Sequence, residues 1–162
     1  MRRLFTIFAL MLATTVIAEA QNLRLGEKIP KIDVTSEFGK ELEDIPKPYT
    51  CLVFTDTRSN PCTEALNMLT EQNLSDHTDL DIVLITAEFI DECYEELRRE
   101  PYSNFTVAMD NHHRTFNAFN INYIPFCVVY DTKHKRAKWF GSPTLLNKGI
   151  INKLEEYKNR KS

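Results

Sequence analysis

One cysteine of this chain stands where a sulfur could be made reactive. Ser59-Asn60-Pro61-Cys62 follows the apolar run Leu52-Val53-Phe54 and opens a segment whose apolar residues recur at helical spacing. A thiol in a first helical turn meets unpaired N–H groups and the positive end of the helix dipole, which favour its thiolate and lower cysteine pKa values to roughly 3.5–7.5. Arg58, just ahead, offers a positive charge to the same turn. Ser59 offers a hydroxyl three residues before the sulfur. A serine hydroxyl stays protonated at working pH unless a base activates it, so it can donate a hydrogen bond but cannot attack a disulfide as a thiolate does. Ordinary dithiol cycling at this turn is thereby excluded.

The other three cysteines are weaker candidates. Cys127 lies two residues after Pro125, so strand alternation puts both side chains on one face and makes Cys127 a candidate secondary thiol for Cys62. A Cys62-Cys127 bond would need distance and direction to fit. Cys51 sits within an apolar strand and reads as a core thiol. Cys93 is surrounded by Asp91, Glu92, Glu95 and Glu96, whose charges raise a thiol's pKa. His112-His113 lacks the further ligands a metal site needs and reads as a solvated turn, so neither a metal nor a cofactor is expected. Asn73-Leu74-Ser75 and Asn104-Phe105-Thr106 match the glycosylation acceptor pattern and have meaning only in a host that glycosylates exported proteins.

Positioning these groups requires a particular order of elements. Residues 25–42 alternate in short extended stretches with a Gly39-Lys40 turn and read as an N-terminal hairpin. A core strand is predicted over 50–55, a helix from Pro61, a doubly buried strand over 81–87 and a helix over 91–99 stopped by Pro101. A short strand over 105–109 and a helical turn over 114–119 follow. Residues 126–130 and 137–140 then form a hairpin about the 131–134 turn, and a helix with Leu146, Ile150, Ile151 and Leu154 on one face closes the chain. The aromatics Phe116, Phe119, Trp139 and Phe140 fall at packing positions.

The first twenty residues read differently. Arg2-Arg3, the apolar stretch from Leu4 to Ile17 and Ala18-Glu19-Ala20 have the layout of a secretory signal over residues 1–20, leaving one domain over 21–162. The apolar stretch is short for a membrane span, so no stable span is expected after cleavage. Export would place the cysteines in an oxidising compartment, periplasmic in a Gram-negative bacterium. Loss of Arg2, Arg3 and Glu19 takes the formal net charge from −3 to −4. No basic stripe is present, which argues against a nucleic-acid partner.

Strand, S-x-P-C turn, helix and a later Ile124-Pro125 heading a strand together resemble the exported thioredoxin-like proteins that include TlpA-type thiol-disulfide oxidoreductases, with peroxiredoxins as more distant relatives. Gly26 with Pro30, and Gly39 with Leu42, match the lead-in of that family. The resemblance implies an α/β fold, a thioredoxin-like three-layer sandwich with a mixed central sheet, an N-terminal β-hairpin extension and an inserted strand and helix. It further implies a cis Pro125 beside the Cys62 turn. A groove of Arg58, Pro61, Ile124 and Phe126 would receive protein thiols or disulfides, or an extended peptide segment.

In the family the first cysteine attacks and the second resolves. Here Ser59 holds the attacking place, Arg58 that of the usual tryptophan and Val53 that of the buried acid. Three functions stay open. Cys62 acts alone in thiol-based redox chemistry, with Ser59 donating to it and Pro125 shaping the groove. The fold serves as a redox-inactive binding module, a reading that an exposed Phe126 would favour. Or Ser59-x-x-Cys62 works as a peroxiredoxin-like peroxidatic turn, with Arg114 or Arg136 as its arginine and Thr55 where that family places a proline.

Overall fold

The structure, a computed structural model, describes residues 23–41 and 46–159. The leader expected over 1–20, Leu42 of the lead-in and residues 160–162 lie outside the described residues.

Two runs rich in β-branched and apolar residues make the centre of the sheet. β2 (Tyr49–Thr55) is buried along its whole length, and β3 (Leu80–Thr86) is buried except at Asp81. They pair in parallel, Tyr49 opposite Leu80 through Thr55 opposite Thr86. Parallel strands of this kind need cover on both faces, and alternation sends their side chains into two separate cores. Cys51, Val53 and Leu84 face Leu66 and Leu69 of α1 (Asn60–Glu71), Cys93 and Leu97 of α2 (Ile90–Leu97), and Ile151 of α4 (Lys148–Asn159). Leu52, Phe54 and Ile85 face Phe119, which caps the five-residue α3 (Arg114–Ala118), together with Ile29, Ile32 and Val34 of the lead-in.

The remaining strands are β1 (Ser36–Gly39), β4 (Thr106–Met109), β5 (Phe126–Asp131) and β6 (Arg136–Gly141). The sheet runs β1-β4-β3-β2-β5-β6. β4 is parallel to β3, whereas β1, β5 and β6 are each antiparallel to the neighbour they pair with. Among the described residues, six strands of mixed direction and four α-helices in three layers match the architecture implied by the resemblance.

The lead-in departs from the expected hairpin. β1 pairs with β4, Ser36 opposite Met109, and not with a strand beside it in sequence. Earlier residues follow the opposite edge: Gly26 N–H donates to Ala137 O at 2.7 Å, and Ile29 N–H donates to Lys135 O at 2.8 Å. Residues 26–39 therefore form a strap from the β6 edge across the second core to the β1 edge. Gly39 ends it at φ +94°, where a Cβ would lie 2.7 Å from Phe105 O.

Candidate functional site

Four chain segments meet where the parallel strands end. β2 runs out into residues 56–59, β3 into 87–89 and β4 into 110–113, while β5 begins beside the end of β2 with Phe126 opposite Phe54. Loops at the carboxyl ends of parallel strands are where α/β sheets place their sites. The Ile124–Pro125 bond entering β5 is cis, and so is Glu100–Pro101.

The turn itself is held by groups that the motif does not contain. Glu88, 5% exposed, accepts from Thr57 N–H at 2.8 Å, Thr57 Oγ1 at 2.6 Å and Thr86 Oγ1 at 2.8 Å. Arg58 Nε lies 3.5 Å from the same carboxylate, and Arg58 NH2 lies 3.6 Å from Asp56. Tyr102, buried in the segment after α2, donates through its hydroxyl to Asp56 O at 3.2 Å and is 3.0 Å from Thr63 Oγ1. Asn111 ties the third loop in by donating to Glu88 O at 2.6 Å. Asp110 accepts from the backbone N–H groups of Arg114 and Phe116 and so fixes the start of α3.

Cys62 lies in the first turn of α1, two residues after Asn60, with Pro61 tolerated at that helix start. Its side chain is 0% exposed. Among the described residues Ser59 Oγ makes no side-chain hydrogen bond, whether as N-cap or to the Cys62 sulfur. The donor role expected for Ser59 is therefore absent from this geometry. Arg58 is fully exposed, and the carboxylates of Asp56, Glu88 and Glu92 push its pKa up. Its charge is matched by acids around it, so it is not left free to stabilise a Cys62 thiolate.

The thiols are not paired. All four are free and buried. Cys127 stands opposite Val53, one position from Cys51 on the same face. Burial first, and then the Cys51 neighbour, push the Cys127 thiol well up. The expected secondary thiol is thus a core partner of Cys51. Burial also pushes Cys93 up to about 11, with Glu88, Glu96 and Glu92 adding to it. Arg114 pairs with Asp33 at 3.6 Å, and Arg136 NH1 donates to Gly26 O at 2.8 Å, so each is engaged away from the turn.

Phe126 is 1% exposed and belongs to the second core, stacked edge-on against Tyr123 at 5.3 Å. The apolar surface at the mouth of the groove is instead Tyr123, 57% exposed. Phe89 and Ile90 on the α2 side are also exposed. Ile124 and Pro125 are half-buried, Pro61 and Arg58 exposed. Among the described residues the backbone groups of Tyr123 and Ile124 have no hydrogen-bond partner. Glu88, Tyr102 and Tyr123 are the contributors that sequence reasoning missed. The one available signal was a lone acid, Glu88, directly after a β-branched run.

This sheet order, with a helix springing from the S-x-P-C turn and a cis-proline at the adjoining strand start, is the thioredoxin-like fold. Solved structures similar to the chain include a candidate protein disulfide isomerase from Bacteroides thetaiotaomicron, 16% identical, covering 85% of this chain and 89% of that one at a TM-score of 0.59. A candidate thiol:disulfide interchange protein DsbE from Chlorobium tepidum is 19% identical, with 83% and 94% covered and a TM-score of 0.59. A thioredoxin-like protein in its oxidized form is 15% identical, with 85% and 96% covered and a TM-score of 0.59. At these identities the likeness carries the fold. No family model matches the chain, and no curated protein matches it.

Proposed function

We propose that this chain is an exported thioredoxin-fold protein, with residues 1–20 as its leader, that holds extended polypeptide segments along Tyr123-Ile124-Pro125 without dithiol exchange. The observation that carries the reading is the pairing of a hydroxyl at Ser59 with a fully buried Cys62. Thiol exchange begins with an exposed thiolate attacking a disulfide sulfur. In this turn the group at the attacking position has no sulfur, and the one sulfur cannot reach a substrate without the helix start opening. The backbone N–H and C=O of Ile124, unpartnered among the described residues, are the groups an added strand would use. Pro125 beside them has no N–H to compete.

The test pairs a binding assay with a turnover assay. Wild type and Cys62→Ser should bind a labelled extended peptide equally and show no disulfide reductase activity, whereas Ser59→Cys should gain reductase activity. Catalysis by wild type that disappears in Cys62→Ser would overturn the reading.

A second reading has one observation behind it: Cys62 stands within the first turn of a twelve-residue helix, where backbone N–H groups favour an anion. Opening of the turn would then expose a monothiol for redox chemistry with a protein disulfide or a peroxide. Peroxide consumption that depends on Cys62 would select this reading.

A further inference from the structure

The α2 side of the site carries two exposed apolar side chains that belong to neither core. Phe89 is 51% exposed and Ile90 38% exposed, side by side in sequence, whereas Tyr94 one helical turn further on packs edge-on against Phe38 at 5.4 Å and lies under Arg98. Phe89 occupies the N-cap of α2 and makes no side-chain cap hydrogen bond. Serine, threonine, aspartate or asparagine there would stabilise the helix by about 1 kcal/mol, so an exposed aromatic ring at that position gives up local stability. Contiguous exposed apolar residues rimmed by polar ones mark contact surfaces.

The rim is acidic. Asp91 and Glu92 flank the apolar pair and are exposed. Arg58, the cation nearest the turn, faces three carboxylates, Asp56, Glu88 and Glu92, and leaves that corner with an excess of negative charge. The surface is also joined to the groove: Phe89 directly follows Glu88, which grips Thr57 and Arg58 beside Ser59.

We propose that the polypeptide segment held by this protein carries a large apolar residue flanked by lysine or arginine, the apolar side chain resting on Phe89 and Ile90 and the positive charge facing Asp91 and Glu92. This rests on the reading of the Pro125 edge as a binding groove. A like-charged or neutral segment would leave the acids desolvated without a partner, which disfavours it.

The test uses the mature chain and three labelled nonapeptides, followed by fluorescence anisotropy at low and physiological salt. The first has a central phenylalanine flanked by lysines, the second the same phenylalanine flanked by glutamates, and the third flanking lysines around alanine. The first should bind about ten-fold tighter than the second, since two exposed charge contacts change from attraction to repulsion. Salt should narrow that gap. Phe89→Ser should weaken the first peptide by about ten-fold or more through lost apolar burial. Glu92→Lys should cut the preference for lysine flanks.

Equal binding of the first two peptides would overturn the charge assignment, and binding of the third as tight as the first would overturn the apolar one; loss of that binding in a Tyr123→Ala/Ile124→Ala double variant would leave the groove reading intact. Binding of no peptide would overturn both. Self-association of wild type that Phe89→Ser abolishes would assign the patch to a second copy and overturn the proposal.

Discussion

Glu88 is the residue on which the geometry of the turn depends, and replacing it with alanine gives the sharpest prediction. Three donors would lose their acceptor: Thr57 N–H, Thr57 Oγ1 and buried Thr86 Oγ1, now bonded at 2.8, 2.6 and 2.8 Å. A buried donor left unsatisfied costs about 1–3 kcal/mol. Thr57 is only half-buried, so water can satisfy part of what it loses, and the removed carboxylate no longer has to be desolvated. The ion pair with exposed Arg58 adds little. The net loss is about 2–4 kcal/mol, dominated by the hydrogen bonds, which for a domain of this length lowers Tm by about 6–12 °C. Urea unfolding measures the first and calorimetry the second. Glu88→Gln keeps the shape and one good acceptor and should lose about half as much. Because the clamp holds the turn that leads into the helix start carrying Cys62, alkylation of Cys62 in native Glu88→Ala should also speed up relative to wild type. A Glu88→Ala protein within about 0.5 kcal/mol of wild type, with Cys62 no more reactive, would refute the reasoning.

Native wild-type protein should react with a thiol reagent at least about 100-fold more slowly than a free cysteine peptide, with all four thiols appearing on denaturation; one fast thiol in the folded protein would contradict the burial of Cys62. Stability should fall as pH rises above about 9. Burial raises the folded-state pKa of Cys93 to about 11 and that of Cys127 well up, so the unfolded chain ionises first and each thiol costs up to about 1.4 kcal/mol per pH unit, as urea midpoints between pH 8 and 10.5 would report. Below that window their contribution is fully present and the midpoint should be flat with respect to these groups. Gly39→Ala places a Cβ 2.7 Å from Phe105 O at φ +94° and should destabilise by about 1–3 kcal/mol, read from the same unfolding curves.

The parts of the fold that were legible in sequence are those decided locally or by bulk burial. β2 and β3 announce themselves as runs dominated by apolar and β-branched residues because both of their faces are covered, and α1 by Ala65, Leu66 and Leu69 on one face below Pro61. The lead-in was misread because Gly39-Lys40 is a local turn signal, whereas the partner of Ser36 is Met109, more than seventy residues away. Nothing within 25–42 encodes that pairing.

The site divides the same way. The S-x-P-C turn and Ile124-Pro125 are short motifs with fixed backbone demands, and they were visible. The exposure of Phe126 depends on Tyr123 and Phe140 closing over it, a tertiary outcome that alternation along a strand does not specify. The role of Glu88 depends on three loops converging on one carboxylate. Arg58 looked like an activating charge because sequence shows a cation near a thiol and does not show the acids that surround it.

The strap over the second core has a bearing on how the protein is made. Gly26 cannot find Ala137, nor Ser36 its partner Met109, until nearly the whole polypeptide has emerged from the machinery that produces or transports it. The segment that leads the domain out is therefore among the last to settle, and until it does, the sheet face of Leu52, Phe54 and Ile85 is covered only by the α3 side, through Phe116 and Phe119. Anything that detains residues 26–39, such as a bulky fusion placed just ahead of Leu23, prolongs the interval in which that part-covered sheet face can stick to its neighbours.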